Sequence, residues 1–407
     1  MKIESVEVTF RDDYSQQRRL YFPGQTVSGT FSFRVTETFT VNSVVMKCKG
    51  KTHVEWTDTD SKGDDKEIDV DEMHLEDVQY LIGSEYDKNF RQDLYVGEHR
   101  HEFSFKLPEN LPTSYENKHA YVRYYLKAKF YRPEWTKTDY EFKEHFTVIG
   151  LIDLNGDRRA MQPVNSTDTD TVGCCCCAEG PIVSEFKLER TCYVPGEFIN
   201  IRALIDNKTS KKMSGSRVEL WMKEKLVYKN YSHTDKKMIA ELRHGETQAG
   251  GQDIWSTERL HIPPCPPTME SSSIMQLTYS LQFIGDIGFL GVNHTVPVTI
   301  GTIPLTSVYS MPSNWSSMPS PFSSFYPPLP ASGTITDPAD ISLNPITSQP
   351  GTLPSAPPPS FHESVNFTGT IVTEKNEGKK KKQKFQPTFI YYNFGGEPLL
   401  PKDMGLR

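Results

Sequence analysis

Apolar and polar residues alternate along much of this chain. Val6, Val8 and Phe10 are separated by charged or polar neighbours, as are Phe31, Phe33 and Val35, and again Phe103, Phe105 and Leu107. The longest run, Val122, Tyr124, Leu126, Ala128 and Phe130, keeps its apolar residues on one side throughout. A side-chain period of two is that of a strand with one face on a core. Turn residues, not helices, separate these runs, so residues 1–150 read as antiparallel sheets stacked into a sandwich. Residues 151–175 lose the pattern and read as a polar interdomain linker. The alternation returns over residues 176–302, as in Ile199, Ile201, Ala203 and Ile205, then Met275, Leu277, Tyr279, Leu281 and Phe283.

The two halves echo each other. YFPGQTVSGTFSF begins at Tyr21 and YVPGEFINIRALI at Tyr193, with Tyr, Pro and Gly matching at an offset of 172. Pro then Gly sets the central positions of a type II turn, fixed φ followed by positive φ. Each copy therefore turns tightly into an alternating strand. A second echo aligns VRYYLKAKF at 122–130 with MQLTYSLQF at 275–283, at an offset of 153. Two copies of one β-sandwich in tandem account for both.

Composition adds a third region. Of 29 prolines, 17 lie in the last 106 residues, so 303–407 is expected to be a Pro/Ser-rich disordered tail with too little apolar surface to offset the entropy of ordering. A net charge of −7 argues against a nucleic-acid binder. No apolar run approaches the ~20 residues of a membrane-spanning helix. The first residues, MKIESVEVTF, lack the apolar core of a secretory signal, and seven cysteines, four of them consecutive, do not form a disulfide framework. A cytosolic, reduced protein is expected. The motifs GxSxG, HExxH, GxxxxGK[ST] and GxGxxG are absent, so neither an enzyme, a cofactor nor a metal site is expected.

Several of these stretches, in order, resemble the arrestin-domain superfamily, and within it the α-arrestin (arrestin domain-containing) branch. YFPGQTVSG and GPIVSEFKLERTCYVPGE resemble its paired sandwich starts. LPTSYENKHAYVRYYLKA resembles its signature strand, VIGLIDLN its junction strand, and HIPPCPPTMESSSIMQLTYSLQF its last long hairpin region. The resemblance covers residues 1 to about 302 and implies an all-β fold of two tandem immunoglobulin-like antiparallel β-sandwiches. It also implies a non-enzymatic adaptor, cytoplasmic and recruited to plasma membrane and endosomes. Such an adaptor links membrane receptors or transporters to Nedd4-class HECT ubiquitin ligases for endocytosis and sorting. Two alternatives stand beside it: a ligase-independent arrestin-fold sorting subunit, and a redox-linked regulator like the thioredoxin-interacting α-arrestins.

Family members recruit ligase WW domains through PPxY motifs, and this chain has none. Its nearest match is Pro358-Pro359-Ser360-Phe361, in which Phe keeps the ring and loses the hydroxyl, at a cost of about 0.5–1.5 kcal/mol. Pro327-Pro328-Leu329-Pro330 is a second candidate for WW or SH3 grooves. The consecutive Cys174, Cys175, Cys176 and Cys177 suit lipidation better than a tetrahedral metal site, because adjacent residues cannot all face one ion. Lys379, Lys380, Lys381, Lys382 and Lys384 form a basic run that reads either as a contact for anionic lipid headgroups, which its place in the tail suits better, or as a nuclear-import-like patch. FQPTFIYYNF at 385–394 is an aromatic cluster that either docks back on a sandwich as an added strand or serves as a short linear motif for a partner. DTDSKGDDKEID at 58–69 imitates a calcium loop but has lysine at a ligand position, and reads as an acidic hairpin tip.

Overall fold

A computed structural model describes residues 2–11, 19–59, 63–84, 86–87, 89–133, 140–174, 177–287, 290–305, 385, 387 and 389–392, without the side chains of 171–179 and 290. The alternating runs become strands, and the strands stack as two sandwiches. In the first, Ile3–Phe10, Thr26–Val35 and Gly97–Lys106 form one antiparallel sheet. The facing sheet runs, in spatial order, Leu20–Tyr21, Tyr140–Val148, Ala120–Tyr131, Ser43–Thr59 and Asp65–Ile82. In the second sandwich one sheet is Val164–Cys174, Cys177–Leu188, Arg202–Asn207 and Gln252–Trp255. Its partner is Cys192–Tyr193, Leu290–Ile300, Met275–Ile287, Gly215–Tyr228 and Tyr231–His244. Among the described residues there is no α-helix, only the 3₁₀ turn Leu154–Gly156, and no helix is long and apolar enough to cross a membrane.

Aromatic side chains join the facing sheets. Val122, Tyr124, Leu126 and Ala128 are fully buried, and Phe33 meets Phe130 edge-on at 4.9 Å between ring centroids. In the second sandwich Phe186 stacks on Phe283 at 5.4 Å, and Trp255 meets Phe283 edge-on at 6.0 Å. Each aromatic residue buries ~150–250 Å², so a few such contacts dominate a sandwich core.

The repeat is real, with one register corrected. Leu20–Tyr21 pairs in parallel with Thr147 and Val148, as Cys192–Tyr193 does with Thr299 and Ile300. One step inward, Tyr124 sits opposite Phe146 and Tyr279 opposite Val298. Tyr124 Oη donates to Pro112 O at 2.7 Å and Tyr279 Oη donates to Pro266 O at 2.5 Å. The equivalent residues are therefore Tyr124 and Tyr279, an offset of 155 where the apolar pattern had suggested 153. A period of two matches itself at every even shift, so alternation alone cannot distinguish the two.

Two further expectations change. The linker expected over 151–175 ends at 163, because Val164–Cys174 pairs antiparallel with Cys177–Leu188 as the edge of a sheet. Its side chains up to Asp170 are mostly exposed, so no apolar alternation marked it. It is tied down by polar contacts instead: Ser166 Oγ and Ser184 Oγ each lie 2.8 Å from a ring nitrogen of His294. Residues 303–305, expected in the tail, belong to the folded part instead, since Ile303 bridges Asp153 and Leu305 is buried.

The tyrosine-to-carbonyl bonds give a first prediction. Tyr124→Phe and Tyr279→Phe each leave a buried carbonyl without its donor, an expected loss of about 1–3 kcal/mol. The measurement is the urea unfolding midpoint of each variant. Midpoints equal to the parent's would show that these bonds carry no stability.

Candidate functional site

The junction between the sandwiches is built by the two Tyr-x-Pro-Gly turns. Gly24 has φ 78° and Gly196 φ 99°, so each turn takes the positive φ that glycine adopts without strain. The residue after each glycine closes its turn in the same way. Gln25 Oε1 accepts from Phe22 N at 2.9 Å, and Glu197 Oε2 accepts from Val194 N at 2.9 Å. Glu197 also pairs, almost fully buried, with Arg190 at 3.1 Å, whose Nη1 donates to Cys192 O. These turns send Phe22 and Val194 out of their own cores into a separate apolar cluster with Ile149, Leu154, Ala160, Cys192 and Leu305.

Ile390 and Tyr392 complete that cluster. Tyr392 N donates to Pro195 O at 3.0 Å, and its phenol donates to Thr302 O at 2.7 Å. A Cβ on Gly196 would lie 1.8 Å from Tyr392 O, so glycine is required there for the approach of this segment as well as for φ. Tyr391 Oη lies 3.2 Å from His261 Nε2, and Phe385 stacks on His145 at 5.2 Å. The described part of 385–394 docks, as one of the two readings had it, but not as the added strand expected. Residues 389–392 are not in a strand, and the contact rests on their side chains together with the backbone bond from Tyr392 N to Pro195 O.

Polar contacts also join the sandwiches. Glu72 accepts from Ser272 Oγ at 2.5 Å and from Ser273 N at 3.0 Å. Asn117 Nδ2 donates to Glu224 at 3.1–3.2 Å. Burial raises the Glu224 carboxyl, against the pull of its bonds from Tyr115 and Asn117. The acidic hairpin is partly neutralised from within, Lys49 pairing with Glu76 and Lys51 with Asp71, both at 2.7 Å. Where a calcium loop was imitated there is a hairpin, with Thr59 opposite Asp65.

The residues singled out in sequence are mostly elsewhere. Pro327, Pro328, Leu329, Pro330, Pro358, Pro359, Phe361 and the lysines at 379–382 and 384 lie outside the described residues, as do Cys175 and Cys176. Cys174 and Cys177 face each other as backbone partners at a hairpin end. The thiols of Cys48, Cys192 and Cys265 are buried, and burial pushes Cys48 and Cys265 up to about 12. None of these three is a ready nucleophile. Sequence reasoning missed His119, His233 and Asp235, which the fold brings together from both sandwiches. No motif marks them, because the first lies more than a hundred residues from the others.

His145 makes docking of the segment sensitive to acid. Burial, with the charges of Lys143 and Arg123 adding to it, pushes this imidazole down to about 3, and burial lowers His261 as well. A histidine released to solvent titrates near ~6.5. The docked state holds the neutral ring, so its stability is complete above that value. For His145 it is lost as pH falls from 6.5 towards about 3, by up to ~1.4 kcal/mol per unit. Hydrogen exchange of amides 389–392 at pH 7.5 and pH 5, corrected for intrinsic rates, should show protection falling on acidification, and His145→Phe should flatten the change. Protection independent of pH would refute the coupling.

The comparisons agree with this architecture. The family model "Arrestin (or S-antigen), N-terminal domain" matches residues 8–155, and the corresponding "C-terminal domain" matches 178–305. Arrestin domain-containing protein 17 of Caenorhabditis elegans is 25% identical over 425 residues, covering 93% of this chain and 97% of the relative. Arrestin domain-containing protein 4 of Homo sapiens is 25% identical over 354 residues, 80% of each. Thioredoxin-interacting protein of Rattus norvegicus is 24% identical over 304 residues, 74% of each. Two complete sandwiches, the paired turns between them and these matches make the chain a member of the arrestin family, on its arrestin domain-containing, or α-arrestin, branch.

Proposed function

We propose that this member of the arrestin family, whose proteins are in general non-enzymatic adaptors that bind cargo and other proteins, is a trafficking adaptor that holds membrane receptors or transporters on its sandwiches. It recruits a WW-domain ubiquitin ligase through its proline segment, for endocytosis and endosomal sorting. It works from the cytoplasm at the plasma membrane and endosomes. One observation carries the reading. Leu305, Ile390 and Tyr392 share a single apolar cluster, so the covalent stretch 306–384 starts and ends at the junction. Both proline motifs and the lysine run belong to that stretch. A ligase held there stays at high effective concentration beside cargo on either sandwich.

Cargo binding by edge addition is supported by the edge strands of three sheets, Ile3–Phe10, Val164–Cys174 and Tyr231–His244. A cleft on the first sandwich, lined by Val45, Lys47, Val78, Tyr80 and Tyr131, offers a second cargo surface. Val78 and Tyr80 are exposed there. The ligase-independent alternative rests on Phe361, which stands where a PPxY motif has Tyr. The redox alternative gains nothing from Cys48, Cys192 and Cys265, which are buried.

A peptide spanning 320–366, titrated against Nedd4-class WW domains, tests the ligase arm. Micromolar binding is expected, tightened about two- to tenfold by Phe361→Tyr as the lost hydroxyl bond returns. Loss of binding in Pro328→Ala alone would identify a PPLP-reading partner instead. No binding by the native peptide would leave the ligase-independent sorting role.

A further inference from the structure

Three donor groups converge where the sandwiches meet. His119 immediately precedes Ala120–Tyr131 of the first sandwich. His233 and Asp235 stand two positions apart on Tyr231–His244 of the second, and so share one face of that strand. One ligand atom from each of the three lies within 4.8 Å of the other two, and the imidazole centroids are 4.9 Å apart. His119 Nδ1 is 3.1 Å from Glu55 O. A carbonyl only accepts, so Nδ1 carries the proton in that bond and Nε2 presents its lone pair. This is the arrangement by which an outer hydrogen bond orients a metal-ligating imidazole.

His233 Nε2 supplies the second observation. It is buried and has no hydrogen-bond partner, although Asp235 Oδ2 lies only 3.3 Å away. Trp56, 6.4 Å from His233 between ring centroids, helps to enclose it. A buried imidazole nitrogen facing a carboxylate without a hydrogen bond is in the state that a cation between them satisfies. Across the strand register, Glu224 stands opposite Asp235 and adds a further carboxyl group beside the cluster.

We propose that His119, His233 and Asp235 bind one divalent ion of the zinc class and thereby clamp one sandwich to the other. A tetrahedral zinc with bonds of ~2.0–2.1 Å sets its donors ~3.3 Å apart, which is the His233–Asp235 spacing already present. The 4.8 Å limit on the remaining pairs leaves His119 a short side-chain movement to close the set. Two imidazoles and one carboxylate suit zinc or its transition-metal neighbours, whereas magnesium and calcium prefer oxygen alone. The fourth position falls to water. Because the ligands come from both sandwiches, the ion is held fully only when the two are in this mutual orientation. Binding therefore stabilises that orientation over any other.

The test uses the full chain stripped with a chelator and titrated calorimetrically with zinc, beside a magnesium control. One zinc per chain is expected, accompanied by a rise in Tm that magnesium does not produce. Affinity should fall at least tenfold in His119→Ala and in the isosteric Asp235→Asn, each with the parent's far-ultraviolet circular dichroism. The cysteine run at 174–177 offers a competing thiolate site, and cobalt substitution separates the two. The proposed ligands give ligand-field bands without thiolate-to-metal charge transfer. Absence of zinc binding, affinity undiminished in both variants, or a thiolate charge-transfer band for the first equivalent would each overturn the proposal.

Discussion

The structure depends on one local constraint, the tight Tyr-x-Pro-Gly turn that occurs once in each sandwich. Its tyrosine closes a two-residue parallel pairing with the last strand of its own sheet. Its proline and glycine then reverse the chain so sharply that the residue between tyrosine and proline cannot stay in the sandwich core. Phe22 and Val194 are expelled in this way, and their burial against each other's neighbours makes the junction. Burial of an apolar side chain of this size is worth about 1.5–3 kcal/mol, so the cluster is a substantial adhesive between the two sandwiches, beside the polar contacts of Glu72 and Asn117 and the ring contact of Trp56 with His233.

The docked aromatic segment extends the same logic. Two sandwiches with short connections leave an apolar cluster that their own strands do not fill, and Ile390 and Tyr392 fill it. The geometry permits this because Gly196 has no Cβ where Tyr392 O approaches. One glycine thus serves the turn and the segment together. Leu305 and this segment together fix where the proline stretch begins and ends, linking a packing detail to the proposed recruitment of partners.

Much of this was legible in the sequence, for identifiable reasons. Strands with one buried face announce themselves by alternation, as at 122–130, and a turn that needs both proline and glycine announces itself by composition. The register between the repeats was not legible, because alternation repeats every two residues and aligned Leu277 with Tyr124. The bonds to Pro112 and Pro266 assign Tyr279 as the counterpart instead. The edge strand Val164–Cys174 was not legible either, since an edge held through Ser166 and His294 carries no apolar face. The group of His119, His233 and Asp235 is a product of tertiary folding, and no local spacing encodes it.

The most direct measurement of the junction replaces Tyr391 by photoreactive benzoylphenylalanine in the full chain and maps the crosslinks by mass spectrometry. Isotopically mixed chains distinguish crosslinks within one molecule from those between two. Tyr391 lies against His261, and Tyr392 against Pro195 and Gly196. Crosslinks within one chain, concentrated on 195–198 and 259–262, are the predicted result. Crosslinks scattered over both sandwiches, or formed between chains, would contradict the docked segment and the junction built around it.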